Sequence, residues 1–582
     1  MFKNVLIMNK LTGLLAVVII AGALCSCAGK CPKDAEAPAP KSEFVSEYIS
    51  PVRLVLVEGP VTMPEVLLKP YSGQVSTTEE YVAEFSRGGS VLLDFGKEIQ
   101  GGIQITRAIS GGHKPVRFRL CLGESVSEAM SDVDEKGSTA TNDHSVRDFE
   151  ISVPWLGVAE YGNSGFRFAR LDYLGDDDQT ALVAVRAISR YRDIPYLGSF
   201  HCSDARLDKI WMTGAYTVHL NMQEYLWDGI KRDRLVWIGD MHPEVMTVGT
   251  VFGDHEVVRK SLDYVRDGTP SSDWMNGICS YSLWWIIIQH HLYQWYGDLD
   301  YLKSQASYLD DLLNNVISNL DGSKEAYKSG RFIDWPSNDQ PAVIHAGLQA
   351  LSVRALEAGA EMAGWLNDEL LREKCAKKAA ELRKYVPDNV GNSQAAALLA
   401  IQDMMDPGEA SKIILANGPE KFTSFMGYYL IEALAKGGHY TEAMDLISKY
   451  WGKMIDLGAT TFWEDFNYGD AQNAARIDEV VPEGKFDIHA DGGAWCYVGL
   501  RHSFCHGWAS GPTTWLSRHV LGIEPVGVGF KQVRVEPHLG DLEWAEGTFP
   551  TPYGQIEVRH EKKADGTVSS DIRLPKGIKL VK

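Results

Sequence analysis

Between residues 228 and 240 the chain reads Asp228-Gly229-Ile230-Lys231-Arg232-Asp233-Arg234-Leu235-Val236-Trp237-Ile238-Gly239-Asp240, three carboxylates and three cations without a helical stripe or strand alternation. An isolated stretch of this kind is usually a solvated connection whose charges cancel. Here Trp227 and Trp237 bracket it with large apolar surface, and Met241-His242-Pro243-Glu244 follows, its proline placed to open a helix. A loop that holds carboxylates beside aromatic faces suits binding and acid chemistry on a sugar. Three further segments collect the same residue types: Phe332-Ile333-Asp334-Trp335-Pro336, Gly458-Ala459-Thr460-Thr461-Phe462-Trp463-Glu464-Asp465-Phe466, and His502-Ser503-Phe504-Cys505-His506-Gly507-Trp508. Cleaving a glycosidic bond takes an acid that protonates the departing oxygen and a second carboxylate that attacks the anomeric carbon or activates water against it. Asp233 and Glu464 are the candidates for this pair. Either one alone would more often be an ion-paired surface carboxylate, so the reading rests on the set.

Other chemistries lack their marks. His290 and His291 are adjacent on a helix and point to different sides, which spoils joint metal ligation. No GxSxG, HExxH, P-loop or βαβ-borne GxGxxG pattern occurs, so no cofactor or metal is expected. Cysteines are scattered, with no CxxC or zinc spacing; Cys496 and Cys505 are the one pair close enough in sequence to suggest a disulfide. A net charge of -20 argues against nucleic acid and anionic membrane surfaces as partners. The 16 Trp and 24 Tyr fit a neutral glycan partner, whose ring faces lie flat on aromatics, although most aromatics in a chain this long are core.

These segments must be positioned by more than one domain, because 582 residues exceed a single core. Residues 48–200 carry short β-rich runs separated by Gly, Asp and Ser clusters, the pattern of a β-sandwich, with Ser125 to His144 as a polar loop. At Ser203, a candidate N-cap, the period changes to helical, and about eleven helices follow up to residue 523, one of them spanning Glu244 to Val265. Their unequal loops exclude a short-period solenoid and favour a toroid of helical hairpins with long loops lining a pocket at one end. Residues 524–582 return to β, with a hairpin turning at Asp565-Gly566.

The N-terminus reads as an address. Lys3 and Lys10 precede an apolar run from Leu11 to Leu24, then Leu24-Cys25-Ser26-Cys27, a signal peptide over residues 1–27 that resembles a bacterial lipobox with Cys27 as the lipidated residue. Residues 28–47 read as a flexible tether. The expected location is the cell envelope, periplasmic or cell-surface, with membrane contact through a lipid anchor only.

From the first sandwich to the C-terminus the arrangement resembles the bacterial α-L-rhamnosidases of glycoside hydrolase family 78. Asp228, Arg232, Asp233, Arg234 and Trp237-Ile238-Gly239-Asp240 follow the family's central motif in order and nearly in spacing. Ala459-Thr460-Thr461-Phe462-Trp463-Glu464 looks like its second motif, His506 stands where the family has a His before its last toroid helix, and Asp334-Trp335 resembles its pocket pair. The resemblance implies an (α/α)6 barrel flanked by an N-terminal β-sandwich and a small C-terminal β-sheet domain, and hydrolysis with inversion. It implies Asp233 as general acid and Glu464 as general base, with Asp228, Arg232, Trp237, Asp240, Asp334, Trp335, Trp463 and His506 around the sugar. The family usually has Glu at the acid position; Asp233 is one methylene shorter, a displacement of roughly 1.5 Å that bears strongly on catalysis. Asp465-Phe466 likewise departs from the family's basic-aromatic continuation.

Three readings follow: an exo-acting inverting glycosidase releasing terminal α-L-rhamnose or a close relative, a lipid-anchored glycan-binding protein with a decayed site, and a polysaccharide lyase on a similar toroid. The lyase would need a Tyr or His base beside a cation that neutralises a uronate.

Overall fold

The structure is a computed structural model describing residues 43–78, 80–109, 113–132, 147–155, 157–175, 179–493 and 498–581. The signal peptide, Cys27, residues 28–42 of the expected tether and Cys496 lie outside the described residues; the tether's last residues are not free, because Phe44–Ile49 is a strand that pairs with Thr180–Arg192.

The N-terminal part is one nine-stranded sheet with every pairing antiparallel. Its longest strand, Ser90–Arg107, changes partner along its length. Residues 90–94 pair with Arg53–Glu58 and residues 101–107 with Thr180–Arg192, while Gly157–Tyr173 pairs with both parts, with register shifts at Asp94/Ile99 and Gly101/Ile103. Such bulges bend and twist a strand, so the sheet folds over a core of Phe85, Leu93, Ile103, Phe118, Phe166 and Val185 in the manner of a sandwich. The expected loop from Ser125 contains one helical turn, Val126–Met130, because the Ser125 side chain accepts the Glu128 N–H as an N-cap; residues 133–146 lie outside the description.

Among the described residues, 205–520 form twelve helices, besides short 3-10 turns, when Gly507–Val520 is taken as one. The single helix expected over Glu244 to Val265 is two, Met241–Val251 and Glu256–Gly268: Gly253 at φ 79 ends the first, and His255 caps the second. Asp204, one residue after Ser203, caps Ala205–Asn221. The twelve segments alternate in burial. Met241–Val251, Cys279–Tyr296, Pro341–Trp365, Ser393–Ile401, Gly427–Lys436 and Gly507–Val520 are buried nearly all round. Each of these six touches the next in a closed ring. The intervening helices bury one stripe, as Glu256–Gly268 does with Val257, Val258, Leu262 and Val265. An apolar helix needs cover on all sides and an amphipathic one on a single side, so the first set forms the inner ring and the second the outer ring of an (α/α)6 barrel.

Two small sheets close the chain, one of Ile523–Val526, Gln532–Val535 and Lys579–Val581, the other of Trp544–Thr551, Gly554–Lys562 and Val568–Arg573. The second is completed by Ser199–Cys202, which sequence reading placed at the sandwich boundary and which pairs instead with Trp544–Thr551. Among the described residues no helix is long and apolar enough to cross a membrane.

Candidate active site

The segments singled out for chemistry lie in the connections that lead from an outer-ring helix to an inner-ring one: residues 222–240 before Met241–Val251, Asp334-Trp335 before Pro341–Trp365, and Glu464 and His506 between Tyr440–Asp456 and Gly507–Val520. Alternation of inner and outer helices makes the inner ones parallel. Their N-termini therefore gather at one rim, where helix dipoles favour negative charge.

The 222–240 loop is shaped by Asp228. Its backbone N–H donates to the Leu235 carbonyl at 3.0 Å, its Oδ1 accepts the Leu235 N–H at 2.9 Å, and its carbonyl accepts from Asn221 Nδ2 at 3.1 Å and Gly507 N at 2.8 Å. Pinching the loop this tightly places Asp233 and Arg234 both in the left-handed region at φ 51, which an L-residue enters only when its surroundings enforce it. The turn sends Asp233 into a cluster. Its Oδ1 accepts from Arg232 Nη1 at 3.0 Å, and its Oδ2 accepts from Trp237 Nε1 at 3.2 Å. The other arm of the same guanidinium, Arg232 Nη2, donates to Oε1 of Glu464. One planar group thus bridges the two carboxylates.

Glu464 is held on all sides. Its Oε2 accepts the Ser503 N–H at 2.9 Å, its N–H donates to the Ser503 carbonyl at 3.0 Å, and its carbonyl accepts from Trp508 Nε1 at 3.0 Å and from Ser424 Oγ. His506 Nδ1 stands 3.7 Å from Glu464 Oε1, and burial, aided by Arg232, holds this imidazole well below its usual range, so it is neutral. Asp334 caps the turn at Trp335: its Oδ1 accepts the Trp335 N–H at 2.8 Å, and its Oδ2 accepts from Gln394 Nε2 and Thr423 Oγ1, both at 2.7 Å. Burial pushes its carboxyl up to about 7 against those donors. Asp228 and Asp240 are pushed well above the carboxylate range by burial and by neighbouring carboxylates. Asp240 Oδ1 is a buried polar atom with no hydrogen-bond partner among the described residues. Asp334, Trp335, Glu464, Asp465 and Trp508 line one narrow cleft. Through Pro336, Thr423 and Asp465 it meets a wider cleft of about 430 Å³ whose lining includes Asn392, Gln394, Asn417 and Asp470.

Of the residues expected at the site, Arg232, Asp233, Trp237, Glu464 and His506 meet directly, Asp334 and Trp335 share the cleft with Glu464, and Asp228 and Asp240 sit buried at the first loop. Trp463 is a correction. It is 1% exposed and stacked on Phe504 at 4.3 Å, so it supports the Glu464 loop and offers no face to a sugar. Ser503 and Trp508 lay within the quoted 502–508 segment without being assigned; only their contacts with Glu464 reveal them. Cys505, considered for a disulfide, is a buried thiol whose Sγ lies 3.6 Å from Asn221 Oδ1.

Known proteins share this fold. The solved GH78 family rhamnosidase of Bacillus sp. GL1 superposes with a TM-score of 0.70 at 21% identity, covering 89% of this chain and 55% of the other. The rhamnosidase from Klebsiella oxytoca with rhamnose bound superposes with a TM-score of 0.66 at 19% identity, covering 81% of this chain and 95% of the other. At these identities the likeness shows the fold. Among curated proteins, an alpha-L-rhamnosidase of Streptomyces avermitilis is 22% identical over 545 residues, covering 87% of this chain and 50% of the relative. One of Alteromonas sp. (strain LOR) is 25% identical over 535 residues, covering 82% and 54%. The chain thus spans about half the length of the curated relatives it matches. The family model for the bacterial alpha-L-rhamnosidase six-hairpin glycosidase domain matches residues 195–520, and that for the bacterial alpha-L-rhamnosidase C-terminal domain matches residues 522–581. With more than half its length under the first model, the chain belongs to the bacterial α-L-rhamnosidase six-hairpin glycosidase family.

Proposed function

We propose that the protein is an exo-acting, inverting glycoside hydrolase that releases terminal α-L-rhamnose, or a closely related sugar, from complex glycans. The observation that carries this reading is the Arg232 guanidinium, which touches Asp233 and Glu464 at once and so brings together two carboxylates, the pair that an inverting mechanism needs. In this mechanism Asp233 gives its proton to the glycosidic oxygen as that bond breaks. Glu464 removes a proton from the water that attacks the opposite face of the anomeric carbon, so hydrolysis leaves the sugar inverted. Trp335 and the buried Asp240 hold the ring and its hydroxyls, and the wider cleft receives the leaving glycan.

The proposal includes an address: cleavage before Cys27, lipidation there, and a tether that carries the enzyme in the cell envelope. The Leu24-Cys25-Ser26-Cys27 run and the charged and apolar regions before it support this.

The test is release of p-nitrophenol from p-nitrophenyl α-L-rhamnopyranoside by protein lacking residues 1–27, run beside Asp233→Asn and Glu464→Gln. Turnover in the wild type that both variants lose supports the assignment. A folded wild type that leaves rhamnosides intact rejects the sugar.

A further inference from the structure

Glu464 is backed by a buried charge cluster that belongs to a different domain. Glu124, fully buried, follows the sandwich strand Val116–Gly123. Its Oε2 accepts the Phe504 N–H at 2.7 Å and its Oε1 accepts from Ser503 Oγ at 3.1 Å. Ser503 is the residue whose N–H and carbonyl clasp Glu464 at 2.9 and 3.0 Å. Two hydrogen-bonded links therefore separate a sandwich carboxylate from a barrel carboxylate.

The same cluster grips the other loop. Lys231 directly precedes Arg232 and Asp233, and its Nζ lies 2.8 Å from Glu128 Oε1 and 3.5 Å from Glu124 Oε2. Lys231 also donates to the carbonyls of Leu500 at 2.8 Å and His502 at 3.1 Å. Glu128 returns to Glu124 by accepting its backbone N–H at 2.7 Å. Behind them Ser125 Oγ meets His489 Nδ1 at 2.7 Å, and His489 Nε2 meets the His502 carbonyl at 3.1 Å. Glu124, Glu128 and His489 could by distance hold a metal ion, but the Lys231 ammonium already supplies a cation there.

An apolar joint between sandwich and barrel would stabilise the fold at lower cost, because taking ionised groups out of water costs several kcal/mol each before pairing repays it. What an ionic joint adds is direction: every bond here has a fixed length and angle, and the bonds end on both carboxylate-bearing loops. We propose that Glu124 is a positioning residue for Glu464, and that the Glu124–Lys231–Glu128 cluster fixes the separation of the Asp233 and Glu464 loops from the sandwich side. The sandwich is then part of the catalytic machinery.

The kinetic test rests on the rhamnoside reading above. Glu124→Gln keeps the shape and one acceptor but loses the charge. It lowers kcat for p-nitrophenyl α-L-rhamnopyranoside by about 10–100-fold while KM moves less than about threefold, since a misplaced base loses transition-state and not ground-state contacts. Ser503→Ala, which cuts only the Oγ link, gives a smaller loss in the same direction and serves if Glu124→Gln does not fold. In a Glu464→Gln background Glu124→Gln causes no further loss, because a residue acting through another has nothing left to act on. Unchanged kcat, a rise confined to KM, or a full second loss in that background overturns the proposal. A structural arm is independent of the substrate: in crystals of Glu124→Gln, or of Ser503→Ala, the Glu464 carboxylate is displaced by more than about 0.5 Å from its wild-type place, the tolerance of a catalytic group. An undisplaced carboxylate overturns the positioning role, whereas a displaced one in a protein inert on rhamnosides rejects only the sugar.

Discussion

Arg232 and Glu464 meet as a buried ion pair, 3% and 2% exposed, across 232 residues of sequence. Through its other arm Arg232 also holds Asp233, so both proposed catalytic carboxylates take their orientation from one planar fork. Lysine keeps the charge but offers one nitrogen where the fork offers two. Arg232→Lys is expected to reduce kcat/KM about 100-fold, the order lost when a catalytic group shifts by an ångström, as measured by steady-state kinetics; near-wild-type kinetics would show that the bridge is dispensable.

Inversion makes a stereochemical prediction. Proton NMR of the first turnovers is expected to show β-L-rhamnose before mutarotation mixes the anomers, since water enters opposite the departing α-oxygen. First appearance of the α-anomer would mean that one carboxylate attacks the sugar directly.

Trp335 and Trp463 face different surroundings. Trp335 is half-buried on the cleft and Trp463 is buried against Phe504. Trp335→Ala is expected to raise KM by about tenfold or more, one lost stacking contact being worth roughly 1.4 kcal/mol, with little change in melting temperature. Trp463→Ala empties a packed site and is expected to cost about 3–5 kcal/mol of stability in denaturant titration.

Asp334 sets a pH dependence of stability. Burial raises its carboxyl to about 7 in the folded protein, well above its unfolded value of 3.8, so the native state binds a proton there that the unfolded chain has released. This contribution is complete below about pH 4 and is lost as pH rises through about 7. Asp334→Asn removes the titrating group, and its stability relative to wild type is expected to rise across that window and level off above it. A stability difference that does not vary with pH would place the carboxyl in its ordinary range.

Cys27→Ala tests the address. The wild type is expected to fractionate with membranes and to carry a lipidated N-terminal fragment by mass spectrometry, whereas the variant fractionates as soluble protein.

Domain classes were legible because they depend on local periodicity: the 3.6-residue stripes of the toroid and the short β runs on either side survive without tertiary information. Boundaries that depend on a single residue were less so. Gly253 splits what periodicity alone joined, and only with that split do the helices number twelve and pair into six hairpins. Ser199–Cys202 looked like the end of the sandwich because four residues carry no sign of which distant strand will pair with them.

Sequence by itself determined which residues could do the chemistry: Asp233, Glu464, Asp334, Trp335 and His506 each stand in a polar, aromatic-rich stretch beside a helix, and residue type and spacing are local properties. Only the tertiary structure decided which of them meet. Arg232 finds Glu464 because the inner helices are parallel and present their N-terminal ends at one rim; Trp463, next to Glu464 in sequence, turns onto Phe504 while Glu464 turns to Arg232, because adjacent side chains leave the backbone in different directions. Glu124, in the sandwich and far from every motif, touches the backbone that holds Glu464, a contact set by domain packing and invisible to any local pattern.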